Sequence, residues 1–259
     1  MKTAGHVGLC LGFALVLAPL AAIVTAVAQA PAADFGALTT RLEAAALDGD
    51  VSALKEARLA CLRLLAAPVP ADRKIILRYT VAYAGWRLGF MPGLSEKEQG
   101  DLLDDAKTQL EAVIAADGRH VEALGLLSAV YGAKIGHNPD LGMTLGPLSG
   151  QLLGRALSVD PQNPRVLVMQ AQSQFHTPPE FGGSIRDAEA TLRRAVQRFE
   201  QEPATKPWPN WGRFDAHAWL GQALANRNDK AGARAQYELA LKIAPNSAWV
   251  KYTLLPAVR

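Results

Sequence analysis

The feature that most restricts this chain is a set of four positions that recurs with offsets of 4, 3 and 5 residues. Near the C-terminus it reads Ala233, Tyr237, Ala240, Pro245. Upstream it reads Ala188, Leu192, Ala195, Glu200, then Ser149, Leu153, Ala156, Pro161, and before that Ala106, Leu110, Val113, Gly118. Offsets of four and three place a small, a large and a small or apolar side chain on one face of an α-helix. A proline or glycine five residues further on ends that helix. Several helices built to one pattern mean one supersecondary unit used repeatedly. Such an array is built to hold a partner, and it specifies no reaction.

The rest of the chain supplies a partner helix for each of these. Ala37–Leu47, the turn Asp48-Gly49-Asp50 and Val51–Leu65 form a first hairpin, stopped by Pro68 and Pro70. A second opens near Asp72, placed to cap a helix running to Phe90. Pro92 and Gly93 break it, and Ser95 with Glu98 has capping-box spacing for the return helix. A third runs from Val121, with an insertion from Gly136 to Pro147 before the Ser149 helix. Pro164 suits the first position of the fourth, and Ser184 caps its second helix after the loop His176–Gly183. A Pro- and Trp-rich linker, Gln201–Gly212, leads to the fifth hairpin, and Ala248–Leu255 covers the exposed end of the stack. No segment alternates with period two, so no β-sheet is expected.

These residues resemble the tetratricopeptide repeat family. Its 34-residue unit pairs an apolar-Gly step in the first helix with a small, bulky, small and proline series in the second. Leu220-Gly221, Ala233, Tyr237, Ala240 and Pro245 match it, as do Leu127-Ser128, Tyr131, Ser149, Leu153, Ala156 and Pro161 with an insertion between the helices. The repeats are separated by 43, 39 and 45 residues, so they are expanded. The resemblance implies an all-α, right-handed solenoid of about five helical hairpins with a capping helix, spanning 31–259, that binds a protein or peptide in its concave groove without a cofactor. Pro164-Arg165, Pro178-Pro179, Gly182-Gly183, Ala188 and Trp211-Gly212 also look like exported bacterial repeat proteins. Some of those resemble the repeat component that accompanies solute-binding proteins of tripartite transporters, so a transport accessory is the alternative.

Residues 1–30 read as a secretory signal. Lys2 is followed by an apolar run from Val7 to Val27 and the small-x-small site Ala28-Gln29-Ala30, so the cut is expected after Ala30 and the protein in the periplasm or outside the cell. The run is also long enough to span a bilayer if retained. Pro19 and the Ala-Gln-Ala site favour cleavage, which leaves no membrane span. A net charge of +3 on 259 residues, without a Lys/Arg run, argues against nucleic acid. Beyond the signal only Cys61 remains, placed as a buried small hydrophobe.

No pair of the histidines His6, His120, His137, His176 and His217 has metal-ligand spacing, and no nucleophile elbow, phosphate loop or dinucleotide fingerprint occurs. No catalytic residue and no metal site is expected. The first helix of each hairpin should line the groove, which nominates Arg165, Val168, Gln172 and Phe175, then Asp215, Ala218, Gln222 and Asn226. Trp208 and Trp211, separated by Pro209, either pack onto the stack or present a stacking surface.

Overall fold

A computed structural model of the chain describes residues 32–203 and 205–259. The segment read as a signal, with its cut after Ala30, lies outside the described residues. The described chain is helical throughout, with no strand among these residues. Five antiparallel hairpins follow one another: α1 (Ala32–Asp48) with α2 (Val51–Ala66), α3 (Ala71–Leu88) with α4 (Glu96–Ala116), α5 (Val121–His137) with α6 (Gly142–Val159), α7 (Pro164–His176) with α8 (Ile185–Gln201), and α9 (Arg213–Asn226) with α10 (Lys230–Ile243). Each hairpin packs on the next, and the odd helices α1, α3, α5, α7 and α9 touch in series. They form the inner layer of a right-handed solenoid. At its end a wide helical turn, Val250–Leu254, and the short α11 (Leu255–Ala257) lay Val250, Leu254 and Val258 over the last hairpin.

The recurrent positions are the packing positions. Ala106, Leu110, Val113, Ser149, Leu153, Ala156, Ala188, Leu192, Ala195, Ala233, Tyr237 and Ala240 are all buried. In the fifth hairpin the small and bulky positions fit each other directly. A Cβ on Gly221 would lie 2.3 Å from the Tyr237 ring, so the glycine is what lets α9 and α10 close. In the third hairpin Ser128 stands at that position and Ser149 opens the second helix. Their hydroxyls lie 2.9 Å apart, and Ser149 Oγ donates to the Ser128 carbonyl at 3.0 Å, so the buried pair satisfies itself. Gly221→Ala is expected to cost about 1–3 kcal/mol by overpacking. An unchanged urea midpoint for that variant would contradict the fit.

The end signals act mostly as the residue chemistry dictates. Ser95 and Glu98 form the capping box of α4, Ser184 accepts from the Asp187 amide to cap α8, and Pro164 opens α7. Several boundaries differ from the sequence reading, among them the start of α1, at Ala32 instead of Ala37, and the end of α3, at Leu88 instead of Phe90. Asp72 does not cap α3; the helix starts at Ala71 after Pro70, leaving Asp72 in its first turn. Pro147 does not bound the insertion; α6 begins at Gly142 and runs through it. Where the recurrent series carries Glu200 in place of a proline, α8 has no stop there and continues to Gln201.

Candidate functional site

The odd helices touch in series along the inner, concave side of the stack, its bore. The sequence places Arg165 and Asp215 in it as groove residues open to a partner, and the structure closes both. Arg165 is fully buried, and its guanidinium makes a bidentate pair with Glu202 of the linker at 2.6 and 2.9 Å. Asp215 on α9 is 1% exposed and receives both terminal nitrogens of Arg87 on α3, at 2.8 and 2.7 Å. Val168 and Ala218 are buried as well. The reason is the pitch of the stack. Within five hairpins the inner layer turns far enough for the second hairpin to face the fifth. Leu47 of α1 likewise packs against the core of the last two hairpins.

The linker packs between the C-terminal half of α3 and the N-terminal ends of α7 and α9. Trp208 and Trp211 are both buried, so they form a plug and present no stacking surface. Trp211 lies 4.9 Å from the Tyr83 ring and 5.9 Å from Trp86, and its indole N–H donates to the Tyr79 hydroxyl at 3.0 Å. Trp208 meets Tyr83 edge-on at 5.3 Å. Arg165 lies over the Phe199 ring, 5.4 Å from its centroid, so cation–π attraction adds to its ion pair.

A buried polar chain crosses above the plug. Tyr83 donates to Glu43 of α1 at 2.6 Å, Arg87 Nε donates to the Tyr83 hydroxyl at 3.0 Å, and Arg87 then holds Asp215. Burial pushes the Glu43 carboxyl up to about 7, against the pull of Arg87 and the Tyr83 hydrogen bond. The ordinary value is 4.5, so between that pH and about 7 the folded chain keeps a proton that the unfolded chain gives up. Stability from this group is complete below 4.5 and is lost as pH rises through about 7. The protein should therefore lose on the order of 1–3 kcal/mol from this group between pH 4 and pH 8. Glu43→Gln, which carries no titrating proton, should flatten that part of the profile in urea titrations at the two pH values. An equal pH gap in the variant would assign it elsewhere.

The C-terminal ends of α7 and α9 remain open. Gln172, Phe175 and Gln222 are half-buried there and Asn226 is exposed. Phe175, His176 and Trp219 meet edge to face, with centroids 5.1–5.5 Å apart, and Trp219 leans on Trp249 at 5.8 Å. Desolvation by these rings lowers the His176 pKa, although the residue keeps an exposed edge. This aromatic mouth was only partly visible in the sequence. Phe175 is placed by its offset from Arg165, His176 falls at the start of the His176–Gly183 loop, and Trp219 carries no signal of its own. The mouth's signal is that Trp219 precedes Gln222 by one turn on the same face.

Elsewhere an apolar cleft of about 420 Å³ lies between α4 and α6, over Leu127 and Tyr131 and walled by Ile114, Leu148 and Leu152. Burial raises the Cys61 thiol to about 12, which fits an inert core side chain. Among the described residues no group of three His, Cys, Asp or Glu could hold a metal ion, and no helix is long and apolar enough to cross a membrane.

No protein-family profile matches the chain, and no curated protein matches it in sequence. Among solved structures it is similar to the HusA haemophore from Porphyromonas gingivalis, with 25% identity and a TM-score of 0.60 over 74% of this chain and 94% of that one. It is also similar to TTC0263, a thermophilic TPR protein in Thermus thermophilus, with 18% identity and a TM-score of 0.49 over 78% of this chain and 98% of that one. The first likeness takes in nearly the whole haemophore chain, and what it shares with this one is the helical architecture.

Proposed function

We propose that this chain is exported to the periplasm and acts there as a non-catalytic helical-repeat adaptor, holding a protein or peptide partner at the open mouth of its bore. The observation that carries this reading is the contrast along the inner layer. One end is sealed by Trp208, Trp211 and two buried ion pairs, while the other leaves Gln172, Phe175, His176, Trp219 and Gln222 within reach of solvent. Aromatic rings beside amide side chains give a surface that is apolar in area and polar in direction, the composition favoured at binding hot spots. Half-buried mouth residues can be trimmed with little loss of stability, so binding and folding should separate. In Gln172→Ala with Gln222→Ala, recovery of the partner from envelope extract is expected to fall while the melting temperature stays near that of the parent. Undiminished recovery would remove the mouth from consideration.

A second reading has one observation in its favour. The similar structure at 25% identity is named a haemophore, and here an imidazole meets Phe175 and Trp219 edge to face at the mouth. On this reading the mouth takes a flat tetrapyrrole, with His176 offered to the iron. Titration with hemin distinguishes the two. A Soret shift that His176→Ala abolishes supports the tetrapyrrole, and a flat titration leaves the adaptor.

A further inference from the structure

The loops that join odd to even helices all lie on one side of the stack, because every odd helix runs in the same direction. In the first and fifth hairpins this junction is short and polar, Gly49-Asp50 and Arg227-Asn228-Asp229. In the second, third and fourth it is longer, and one large apolar side chain is held out in solvent in it or just beyond it: Phe90 and Phe181 in the junction itself, Met143 in the first turn of α6. Phe90 is 57% exposed, Met143 80% and Phe181 67%. They rank among the most exposed large hydrophobic residues described, and they fall near the odd-to-even turns of three consecutive hairpins.

Two of the tips are held rigidly. Phe90 is stacked on His137 of the next hairpin at 6.4 Å and touches Trp86 edge-on, while His137 Nε2 hydrogen-bonds the Gly89 carbonyl at 2.9 Å. Phe181 rides on a loop closed by the Gly183 amide to Pro178 at 3.1 Å and the Ser184 amide to Gln174 at 2.8 Å. A Cβ on Gly183 would fall 1.6 Å from the Thr177 carbonyl oxygen, so this tight return requires glycine. Holding an apolar ring in water on a fixed loop does nothing for the fold, since burial is what stabilises such a side chain.

Acidic side chains outnumber basic ones around these tips. Lys97 is neutralised by Asp101 at 2.7 Å, and Lys134 is paired with Asp104. Glu96, Asp140, Glu180 and Asp187 are exposed and make no ion pair among the described residues, with Arg186 as the one cation left beside them. Several of these acids favour helix N-termini, yet their charge still projects at the rim.

We propose that this rim binds a basic amphipathic helix of the partner, with apolar side chains seated on Phe90, Met143 and Phe181. The spacing fits. Neighbouring helices of a packed layer lie about 8–10 Å apart, and seven residues of helix rise about 10.5 Å. One apolar residue in seven, flanked by Lys or Arg, therefore meets successive tips and the acidic side chains between them. This inference rests on the adaptor reading and adds the chemistry of the partner.

The test uses the whole protein and two synthetic helical peptides, each with leucine at every seventh residue, one with lysine at the flanking positions and one with glutamate. Fluorescence anisotropy should show the lysine peptide binding and the glutamate peptide failing to bind. Phe90→Ser with Phe181→Ser should weaken the lysine peptide by at least about tenfold, the effect of losing one well-seated aromatic contact. Glu96→Lys with Glu180→Lys should weaken it as well, and added salt should do the same in the parent. Gln172→Ala with Gln222→Ala should leave this affinity unchanged, so loss at the rim and loss at the mouth are told apart. Equal binding of both peptides, or no effect of the phenylalanine changes, overturns the proposal. Binding of phosphatidylcholine vesicles that the phenylalanine changes abolish, without peptide binding, would overturn it in favour of a lipid surface.

Discussion

Asp215→Ala is expected to destabilise the protein by about 3–5 kcal/mol, because it leaves the Arg87 guanidinium buried without its counter-charge. Arg87 has one other hydrogen-bond partner in the chain of side chains, the Tyr83 hydroxyl, which cannot take up a positive charge. The carboxyl of Glu43 lies beyond it and is held near neutral by its own burial. Ionising Glu43 would compensate in part, so the variant should lose less at pH 8 than at pH 5. That is a second, independent readout of the same network. The double change Arg87→Met with Asp215→Leu removes both charges and should recover much of the loss, as apolar replacement of buried ion pairs often does. Chemical denaturation of the single and double variants checks this. A single variant within about 1 kcal/mol of the parent would mean the pair is solvated in solution.

Trp211→Ala should be as severe, about 3–5 kcal/mol, the range for truncating a large buried aromatic side chain. The ring is 1% exposed and touches Tyr83 and Trp86, and its N–H satisfies the Tyr79 hydroxyl, whose ionisation burial already opposes. Its removal opens a cavity between the second hairpin and the linker and unties that linker from the inner layer. Trp211→Phe keeps most of the area and loses the hydrogen bond, so it should fall between the two. Intrinsic fluorescence and urea melts of the three proteins read this out. A loss for alanine no larger than for phenylalanine would show that the plug is loosely packed.

What the sequence made legible was local. Offsets of four and three marked the buried face of each second helix, and Gly221 with Tyr237 announced how two helices approach. Ser95 with Glu98 announced where one begins. These signals lie within one hairpin, where the helical period fixes which side chains share a face. The same logic nominated Arg165 and Asp215 for an open groove and could not see that they were taken. Arg87 and Asp215 are 128 residues apart, and Trp211 and Tyr79 132. No periodicity within a repeat records how far the stack has turned after three of them. The polar residues of the inner face thus split into two kinds that look alike in sequence. Arg165 sits where the linker reaches it and Asp215 where the second hairpin does, while Gln172 and Gln222, two turns further along, are reached by neither.

The contact between the second and fifth hairpins also fixes how many repeats this chain can have. In an open array, units can be gained or lost at the ends, because each needs only its neighbour. Here, removing or duplicating a hairpin between α3 and α9 would carry Arg87 past Asp215 and leave Tyr79 without Trp211. Gene variants of altered repeat number should therefore fail as a whole rather than shorten. Pulled from its ends, the molecule should give way in one large step rather than peel hairpin by hairpin.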